Sequence, residues 1–407
     1  MNCRHCQTAL ETVFIDLGNS PPSNSYLRAA DLNGPEVFFP LKVWVCQNCW
    51  LVQVDEFKRA AEIFNEDYVY FSSFSSSWLE HSRKYVEMMI PRFGFGTNSL
   101  VVEIASNDGY LLQFFLEKKI PVLGIEPSKA TAAQAQQKGM ETITEFFTES
   151  FAKSLAPDRG KADLILGNNV LAHVPDINDF VKGVRALLKD EGVFTFEFPH
   201  LLNLLEQNQF DTIYHEHFSY LSLTSVNAIF KSVNLRVFDV EQIPTHGGSL
   251  RIFGCHENSK HLLTGRVAEL LLRENHAGMK SSEYYHGFQE KAFRVKSNLL
   301  EFLLHARKEG KRVAGYGAAA KGNTLLNYCG VKNDLIEFVV DLSPHKQGRF
   351  LPGSHIPIVE EARLKTFRPD FIIIFPWNIK DEIMKQLSYA MEWGGRFVIA
   401  IPKLRIL

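Results

Sequence analysis

Residues Tyr214 to His217, with the sequence Tyr-His-Glu-His, bring a phenol, two imidazoles and a carboxyl group into one short stretch. An imidazole has an ordinary pKa of about 6.5, so a histidine can accept a proton at neutral pH. In an extended strand His215 and His217 would share one side and Glu216 would take the other, although an irregular loop breaks that alternation. The pattern predicts general acid–base chemistry, with His173 as a further candidate. The alternative is a loop whose histidines only satisfy backbone carbonyls.

Four of the six cysteines form two Cys-x-x-Cys pairs, Cys3 with Cys6 and Cys46 with Cys49. Each pair lies beside an apolar run, as in the short hairpins that present metal ligands. Four thiolates suit a closed, structural, tetrahedral zinc site, and a redox pair or a catalytic zinc is the lesser alternative. The 39 residues between the pairs exceed the usual ribbon spacing, so we expect that loop to have structure of its own.

Three predicted strands of the middle region end in small or polar residues, and parallel sheets bind ligands beyond such carboxyl ends. A carboxylate at Glu126, at the end of the second strand, can accept hydrogen bonds from both hydroxyls of a ribose. The alternative is a tight turn without a ligand, because the Gly-x-Gly-x-x-Gly spacing of a dinucleotide site is missing. The predicted cofactor-binding residues are Glu103, Ala105, Ser106, Asn107, Asp108, Gly109, Glu126, Pro127, Asn168 and Asn169.

A second glycine-containing loop, from Gly315 and Tyr316 to Lys321 and Asn323, follows a predicted strand and opens a helix. Its amides and the lysine can hold a diphosphate at a helix amino terminus, and the alternative is a vestigial turn. The turn that contains His246 carries two glycines that permit close backbone approach. It either closes over the cofactor or simply forms a hairpin corner.

The elements that must position these residues fall into three regions. Strand-like runs alternate with helical patterns from residue 74 to residue 254 and again after Gly310, which predicts two doubly wound α/β sheets. Two strands, from Leu235 and from Ser249, are too close for a crossover helix and are expected as an antiparallel edge pair. A helix with an apolar face connects the first sheet to the second. We expect domains at residues 1–71, 72–256 and 257–407.

The bulk composition narrows the classes of function. The net charge of −2 and the absence of a basic stripe count against a nucleic-acid partner. No apolar run approaches the roughly 20 residues of a membrane helix, and the first residues do not resemble a secretory signal, so we expect a cytoplasmic protein. Nothing in the sequence demands more than a monomer.

Several motifs together carry a resemblance that extends nearly end to end. The stretches from Glu103, Gly124 and Asn168 resemble the S-adenosylmethionine motifs of class I methyltransferases. With the cysteine pairs and the stretches from residues 68, 214, 245 and 315, the chain resembles the sugar C-methyltransferase family, which acts on nucleotide-linked keto-deoxysugars. Ala105 departs from the family's usual glycine. The resemblance implies a zinc-binding amino-terminal module, a class I methyltransferase sheet and a smaller Rossmann-like carboxyl-terminal domain.

The resemblance also implies roles for residues and ligands. His217 would be the base, with Glu216 and Tyr214 as partners for the sugar, His173 as a catalytic or positioning group and Tyr68 facing the active site. The ligands would be S-adenosylmethionine, structural zinc and a sugar linked to a nucleotide, TDP being the favoured one. The alternatives are an NAD-dependent nucleotide-sugar oxidoreductase and a non-catalytic nucleotide-sugar binding protein.

Overall fold

The amino-terminal cysteine pairs flank an antiparallel sheet. The structure, a computed structural model, describes residues 1–59, 62 and 71–407, so that Tyr68 lies outside the described residues. In this region the strands are β1 (Thr12–Ser20), β2 (Phe39–Val45) and β3 (Val52–Val54). Alternate side chains of β2 are buried, namely Leu41, Val43 and Val45, as the period of two requires for one covered face.

The middle region contains eight strands within the described residues. They are β4 (Val101–Ile104), β5 (Val122–Ile125), β6 (Thr142–Ile143), β7 (Ala162–Asn168), β8 (Leu188–Pro199), β9 (Ser219–Tyr220), β10 (Leu235–Ile243) and β11 (Ser249–His256). All but β9 form one sheet in the order β10-β11-β8-β7-β4-β5-β6. The pairs from β8 to β6 are parallel, and β10 and β11 form the predicted antiparallel edge pair. The chain reverses its direction of travel across the sheet at β4, so a crevice opens beyond the carboxyl ends of β4 and β7.

Strand β9 belongs to the amino-terminal sheet, where it pairs with β3 in the order β1-β2-β3-β9. The sequence did not predict this pairing, because two residues carry no periodic signal. It matters because β9 directly follows the Tyr214–His217 stretch.

Helices cover both faces of the middle sheet, as a doubly wound fold requires. The first of them is capped at both ends: Ser75 accepts a hydrogen bond from the Trp78 amide, and Gly94 adopts the left-handed conformation after the last turn. The helices are α1 (Ser76–Phe93), α2 (Leu112–Glu117), α3 (Lys129–Gln137), α4 (Glu149–Arg159), α5 (Ile177–Leu187), α6 (Leu201–Glu206) and α7 (Leu223–Lys231). Short 3₁₀ helices lie at Ala29–Asn33, Ser72–Phe74, Leu171–His173, Phe210–Thr212, Thr245–Gly247, Trp377–Ile379 and Ser388–Trp393.

The predicted helical connector comprises α8 (Gly265–Ala277), α9 (Ser282–Tyr285) and α10 (Phe288–Lys308). In α10 the side chains at three- and four-residue steps, Ala292, Val295, Leu299 and Leu303, are buried, which confirms the predicted apolar face. Its first residue, Phe288, stacks on Phe14 of β1 with 4.7 Å between ring centroids. The connector therefore joins the amino-terminal sheet to the carboxyl-terminal region.

The third region alternates strands and helices, as predicted. The elements are β12 (Val313–Tyr316), α11 (Ala320–Cys329), β13 (Val339–Val340), β14 (Ile358–Val359), α12 (Ala362–Phe367), β15 (Phe371–Ile374), α13 (Lys380–Gln386), β16 (Arg396–Ile399) and β17 (Arg405–Ile406). The strands form a second, mainly parallel sheet in the order β14-β13-β12-β15-β16-β17. The strand-like run from Leu335 to Asp341 forms only the two-residue strand β13, because the stretch before it folds into a turn and buries Ile336 and Phe338. Two of the strands, β14 and the antiparallel β17, were not predicted.

The apolar cores cross the boundaries between the three regions. One cluster of buried side chains runs from β1, β2 and β3 through α6 and α10 into the third sheet. Another joins the four cysteines to the middle sheet. The expected domain limits therefore stay a prediction. In the described part of the chain, no helix combines the length and the apolar character that a membrane crossing needs.

Candidate active site and metal centre

The four paired cysteines converge on one point. Cys3 Sγ lies 3.5 Å from Cys49 Sγ, and Cys6 Sγ lies 3.4 Å from Cys46 Sγ. All four sulfur atoms lie within 4.8 Å of one another. A tetrahedral zinc with bonds of about 2.3 Å places its sulfur ligands about 3.8 Å apart, so the cluster fits this ion without a position for water.

One buried glutamine connects this cluster to the rest of the sheet. Gln53 donates from Nε2 to Cys3 Sγ at 3.2 Å and accepts at Oε1 from the Arg4 amide at 2.8 Å. Gln53 lies in β3, the strand that pairs with β9. The metal site is thus one strand away from the predicted catalytic stretch.

The loop after β4 has an unusual backbone. Ala105, Asn107 and Gly109 have φ angles of 53°, 51° and 75°, in the left-handed region. A Cβ on Gly109 would come within 2.0 Å of Met140 Cε, so this position requires glycine. The left-handed conformation costs alanine roughly 1 kcal/mol relative to glycine, so Ala105 is slightly less favourable here than the family's usual glycine.

Glu126, directly after β5, ties this loop to the neighbouring strand. Its Oε2 accepts from the Asn107 amide and its Oε1 accepts from the Ser128 amide, both at 2.9 Å. Burial raises the pKa of this carboxyl group. Pro127 follows it and directs the chain into α3. The carboxylate is therefore rigidly placed where the ribose of a nucleoside ligand would meet the strand ends.

Other polar groups at the strand ends are buried without a protein partner among the described residues, namely Ser106 Oγ and Asp108 Oδ1. Glu103 is also fully buried, and burial raises its pKa well above the ordinary value. Buried polar groups are normally hydrogen-bonded, so such groups indicate a ligand that completes the site. The residues present fit a ligand that carries both hydrogen-bond donors and hydrogen-bond acceptors, and S-adenosylmethionine is such a ligand.

A cluster of aromatic side chains lies near these strand ends. Trp78 of α1 stacks on Tyr110 with 6.0 Å between centroids and meets His246 edge-on at 5.4 Å. His246 Nε2 lies 3.0 Å from Asn169 Nδ2, and because the amide nitrogen donates, this imidazole nitrogen accepts. Burial lowers the pKa of His246 to about 4. The glycine-containing turn is thus both a hairpin corner and a contact with the end of β7, where Asn168 also lies.

The Tyr214–His217 stretch forms a turn closed by a hydrogen bond from the His217 amide to the Tyr214 carbonyl. His217 Nδ1 lies 3.0 Å from the Thr212 carbonyl and His217 Nε2 lies 2.8 Å from Tyr214 Oη. A carbonyl only accepts, so Nδ1 carries the proton and Nε2 accepts from the phenol. Burial lowers the pKa of His217 well below its ordinary value, so the ring is neutral with a basic Nε2.

His173 packs against this dyad from the end of β7. Its ring centroid lies 4.6 Å from that of His217. Its Nδ1 lies 2.7 Å from the Glu216 carbonyl, to which it donates. Burial lowers the pKa of His173 to about 4. The two predicted imidazoles are therefore in contact.

The amino-terminal module completes the turn from the other side. Asn24 donates to Glu216 Oε2 at 2.6 Å, and burial raises the pKa of this carboxyl group. His215 points to the Pro40 carbonyl, 3.2 Å from its Nε2. Of the two arrangements that the sequence left open, an extended strand and an irregular loop, the structure has the second, because the stretch is a turn.

The carboxyl-terminal region brings Lys321 close to the same turn, because helix α11, which carries it, packs on the 3₁₀ helix Phe210–Thr212. Its Nζ donates to Asn378 Oδ1 at 2.7 Å and lies 4.7 Å from the centre of the Trp377 ring. Lys321 is partly exposed, as are the side chains of Tyr214 and His217. Sequence reasoning missed Trp78, Tyr110, Asp211 and Trp377, because single aromatic or acidic residues carry no spacing signal.

The loop around Gly315 is packed within its own domain. A Cβ on Gly315 would come within 2.6 Å of Phe375, and Tyr316 binds Gln386. The Ala318 amide donates to Asp341 Oδ2 at 2.8 Å. A dinucleotide fold uses a carboxylate at this position to bind ribose, and here a backbone amide already occupies it. Asn323 donates to the Ser23 carbonyl.

Comparisons with known proteins agree with this geometry. Residues 78–240 match a family described as a methyltransferase domain, residues 244–402 match the C-methyltransferase C-terminal domain, and residues 3–64 match a family described as "Putative zinc binding domain". C-methyltransferase NovU of Streptomyces niveus is 37% identical over 405 residues, which cover 100% of this chain and 96% of that one.

Some solved structures are similar to part of this chain. A S-adenosylmethionine-dependent methyltransferase from Clostridium acetobutylicum is 14% identical over 44% of this chain and 92% of its own, with a TM-score of 0.36. A protein from Pyrococcus horikoshii is 16% identical over 49% of this chain and 99% of its own, with a TM-score of 0.38.

The middle sheet, the strand-end site and the methyltransferase match define a S-adenosylmethionine-dependent methyltransferase with a four-cysteine zinc-binding module. The full-length similarity and the match of the carboxyl-terminal domain are more specific. The chain belongs to the C-methyltransferase family, and the predicted resemblance is confirmed. The oxidoreductase and the non-catalytic binding protein are thereby set aside.

Proposed function

We propose that the enzyme methylates a carbon next to the carbonyl of a nucleotide-linked keto-deoxysugar, with TDP as the nucleotide. The observation that carries the proposal is the hydrogen-bonded pair of Tyr214 and His217, which is partly exposed and contacts His173 beyond the end of β7. Carbon becomes nucleophilic only after a proton is removed, and a C–H beside a carbonyl is acidic enough for a side-chain base.

His217 is the base in this proposal. Its Nδ1–H is held by the Thr212 carbonyl, which keeps the basic lone pair on Nε2. In the free protein Tyr214 occupies that lone pair. A substrate C–H that approaches Nε2 displaces the phenol, which then becomes available to hydrogen-bond the sugar.

The remaining predicted catalytic residues orient the sugar and the turn. Glu216, held by Asn24, presents a carboxyl group whose raised pKa favours a hydrogen-bonding, protonated form. His173 fixes the Glu216 carbonyl and shields the base from water. The role of Tyr68 stays a prediction.

S-adenosylmethionine, when bound, supplies an electrophilic methyl group. Glu126 binds the ribose hydroxyls and the loop from Glu103 to Gly109 supplies polar groups for the methionine portion. Asn168 and Asn169 border the same space, and His246 holds Asn169. The predicted substrate-binding roles of His246, Gly315, Tyr316, Lys321 and Asn323 belong to this proposal, and the partly exposed side chains of His246 and Lys321 support the first and fourth of them.

The test is incubation with labelled S-adenosylmethionine and a panel of TDP-linked sugars, followed by mass analysis and NMR of the product. We expect one added carbon-bound methyl group on keto-sugars and none on matched sugars whose carbonyl is reduced to a hydroxyl. Methylation of the reduced sugar, or a methyl group on oxygen or nitrogen, would overturn the proposal.

A further inference from the structure

Lys321 lies near the proposed base, because the helix that carries it, α11, packs on the 3₁₀ helix that precedes the Tyr214–His217 turn. It is the second residue of α11, and its ammonium group donates to Asn378 and lies over the face of Trp377. An ammonium has three protons, and the Asn378 contact uses one of them. A cation–π contact further holds the group without neutralising its charge.

The aromatic ring below the lysine is itself fixed on two sides. Trp377 Nε1 donates to Asp211 Oδ2 at 2.7 Å. On another edge the ring meets Gly247, where an added Cβ would come within 2.5 Å of Trp377 Cη2. Gly247 follows His246, so the ring lies between the turn that joins β10 to β11 and the 3₁₀ helix that carries Asp211.

The short 3₁₀ helix Phe210–Thr212 connects the lysine to the base. Asp211 anchors Trp377, and the Thr212 carbonyl binds His217 Nδ1. The next carbonyl, of Ile213, accepts from Thr324 Oγ1 of α11 at 2.8 Å. Three consecutive residues thus set the relative positions of the cation and the base, which lie on different domains.

The electrostatics of the site follow from this arrangement. Burial, His173 and His246 lower the pKa of His217 more than Lys321 does, but the lysine also lowers it, and for His246 it is the next cause after burial. Burial raises the pKa of Asp211 to about 6, and the lysine opposes that rise. The positive charge of Lys321 therefore influences the pKa of the proposed base.

We propose that Lys321 is a further catalytic residue that stabilises the enolate oxygen, and that Asp211 is a positioning residue acting through Trp377. The inference rests on the proposed function. When the proton moves from carbon to His217, the C–H electron pair forms the C=C bond and the carbonyl oxygen gains the charge. The ammonium donates a hydrogen bond to that oxygen. The charge disappears when the carbon attacks the methyl group of the sulfonium, the S–CH₃ electron pair stays on the departing sulfur, and the ketone re-forms. The lysine therefore gains and loses no proton.

The alternative role for Lys321 is to bind the diphosphate of the nucleotide sugar. Kinetic measurements distinguish this role from stabilisation of the enolate. A diphosphate is charged throughout the reaction, so its partner affects KM and substrate affinity. The enolate charge exists only during the reaction, so its partner affects kcat.

The experiment compares Lys321→Met, Lys321→Gln and Lys321→Arg in the full chain. We expect the first two to lose about 10²-fold in kcat and in exchange of the substrate proton with deuterated water. Nucleotide-sugar affinity should change by less than about threefold, and the arginine variant should recover part of the rate. The acid limb of the exchange rate should move to higher pH in Lys321→Met, because loss of the cation raises the pKa of the base. A purely structural role would not move that limb.

Lys365→Met is the matched control, because Lys365 also lies over an aromatic ring, Tyr389, but on the surface of the domain. Asp211→Asn keeps an acceptor for Trp377 and should lower kcat less than Lys321→Met. A raised KM with unchanged exchange would assign Lys321 to the diphosphate, and unchanged kinetics would remove it from the site. His217→Asn, assayed alongside, tests the proposed function separately, since retained exchange there refutes the base whatever Lys321 does.

Discussion

Tyr214 Oη lies 2.8 Å from His217 Nε2, so the phenol of the first residue of the turn occupies the basic lone pair of the last. The opposite nitrogen of the ring is held by the Thr212 carbonyl. This geometry fixes one tautomer of His217 and leaves Nε2 as its one basic atom.

His217→Asn should abolish methylation while it keeps the affinities for cofactor and nucleotide sugar. Loss of a well-placed general base costs about 10²- to 10⁴-fold in rate. Exchange of the substrate proton with deuterated water should be lost too, because it needs only the base and the carbonyl. If exchange persists at the original rate, the base is Tyr214 or His173, and the substitution that stops exchange identifies it.

The exchange rate should stay constant as the pH falls through 6.5. The base acts in its neutral form, and burial lowers the pKa of His217 well below its ordinary value, so protonation begins only at a lower pH. NMR measurement of exchange between pH 5 and pH 8 checks this (the range brackets the ordinary imidazole value). A midpoint near 6.5 would show that the ring is not buried as described.

The free energy of unfolding should fall as the pH drops from 6.5 toward 4. Burial lowers the pKa of His173 to about 4, so in that window the unfolded chain binds a proton that the folded chain does not. His173→Asn should show a shallower fall in calorimetry than the parent. His276→Asn, at an exposed position, is the control and should follow the parent curve. Parallel curves for all three proteins would contradict the assignment.

Glu126→Ala should raise the Kd for S-adenosylmethionine about tenfold or more, since a charge-assisted hydrogen bond contributes about 1.5–3 kcal/mol. The fold should persist, although the loop at Asn107 loses an anchor. Glu141→Ala, which removes an exposed partner of Arg159, is the matched control. An unchanged calorimetric affinity in Glu126→Ala would place the ribose elsewhere.

The purified protein should contain about one zinc, and Cys46→Ser should release it. The amino-terminal sheet should loosen first, and with it β9 and the Tyr214–His217 turn, because the Val54 amide binds the Phe218 carbonyl. Methylation should therefore fail while cofactor binding at the middle sheet survives. Cys255→Ser, outside the cluster, should keep its metal. Absence of zinc from the parent protein by metal analysis would refute the site.

The sequence predicted candidate site residues where they belong to a short motif. The cysteine spacing predicted the metal centre, and the strand ends predicted the position of Glu126. The sequence left the arrangement of His215 and His217 open, because a turn follows its own hydrogen bonds and not a period of two. Asp211 and Trp377 were not predicted because neither belongs to a motif and 166 positions separate them.

The sequence by itself determined the longer strands of the middle sheet, the apolar face of α10 and the family, because each depends on a pattern of neighbouring residues. Only the tertiary structure decided that β9 joins the amino-terminal sheet, that Asn24 reaches Glu216 and that Thr324, on the helix of Lys321, reaches Ile213. Those contacts join residues about 100 or more positions apart. They arise from the packing of shared cores, and side chains that meet across such cores leave no periodic trace along the chain.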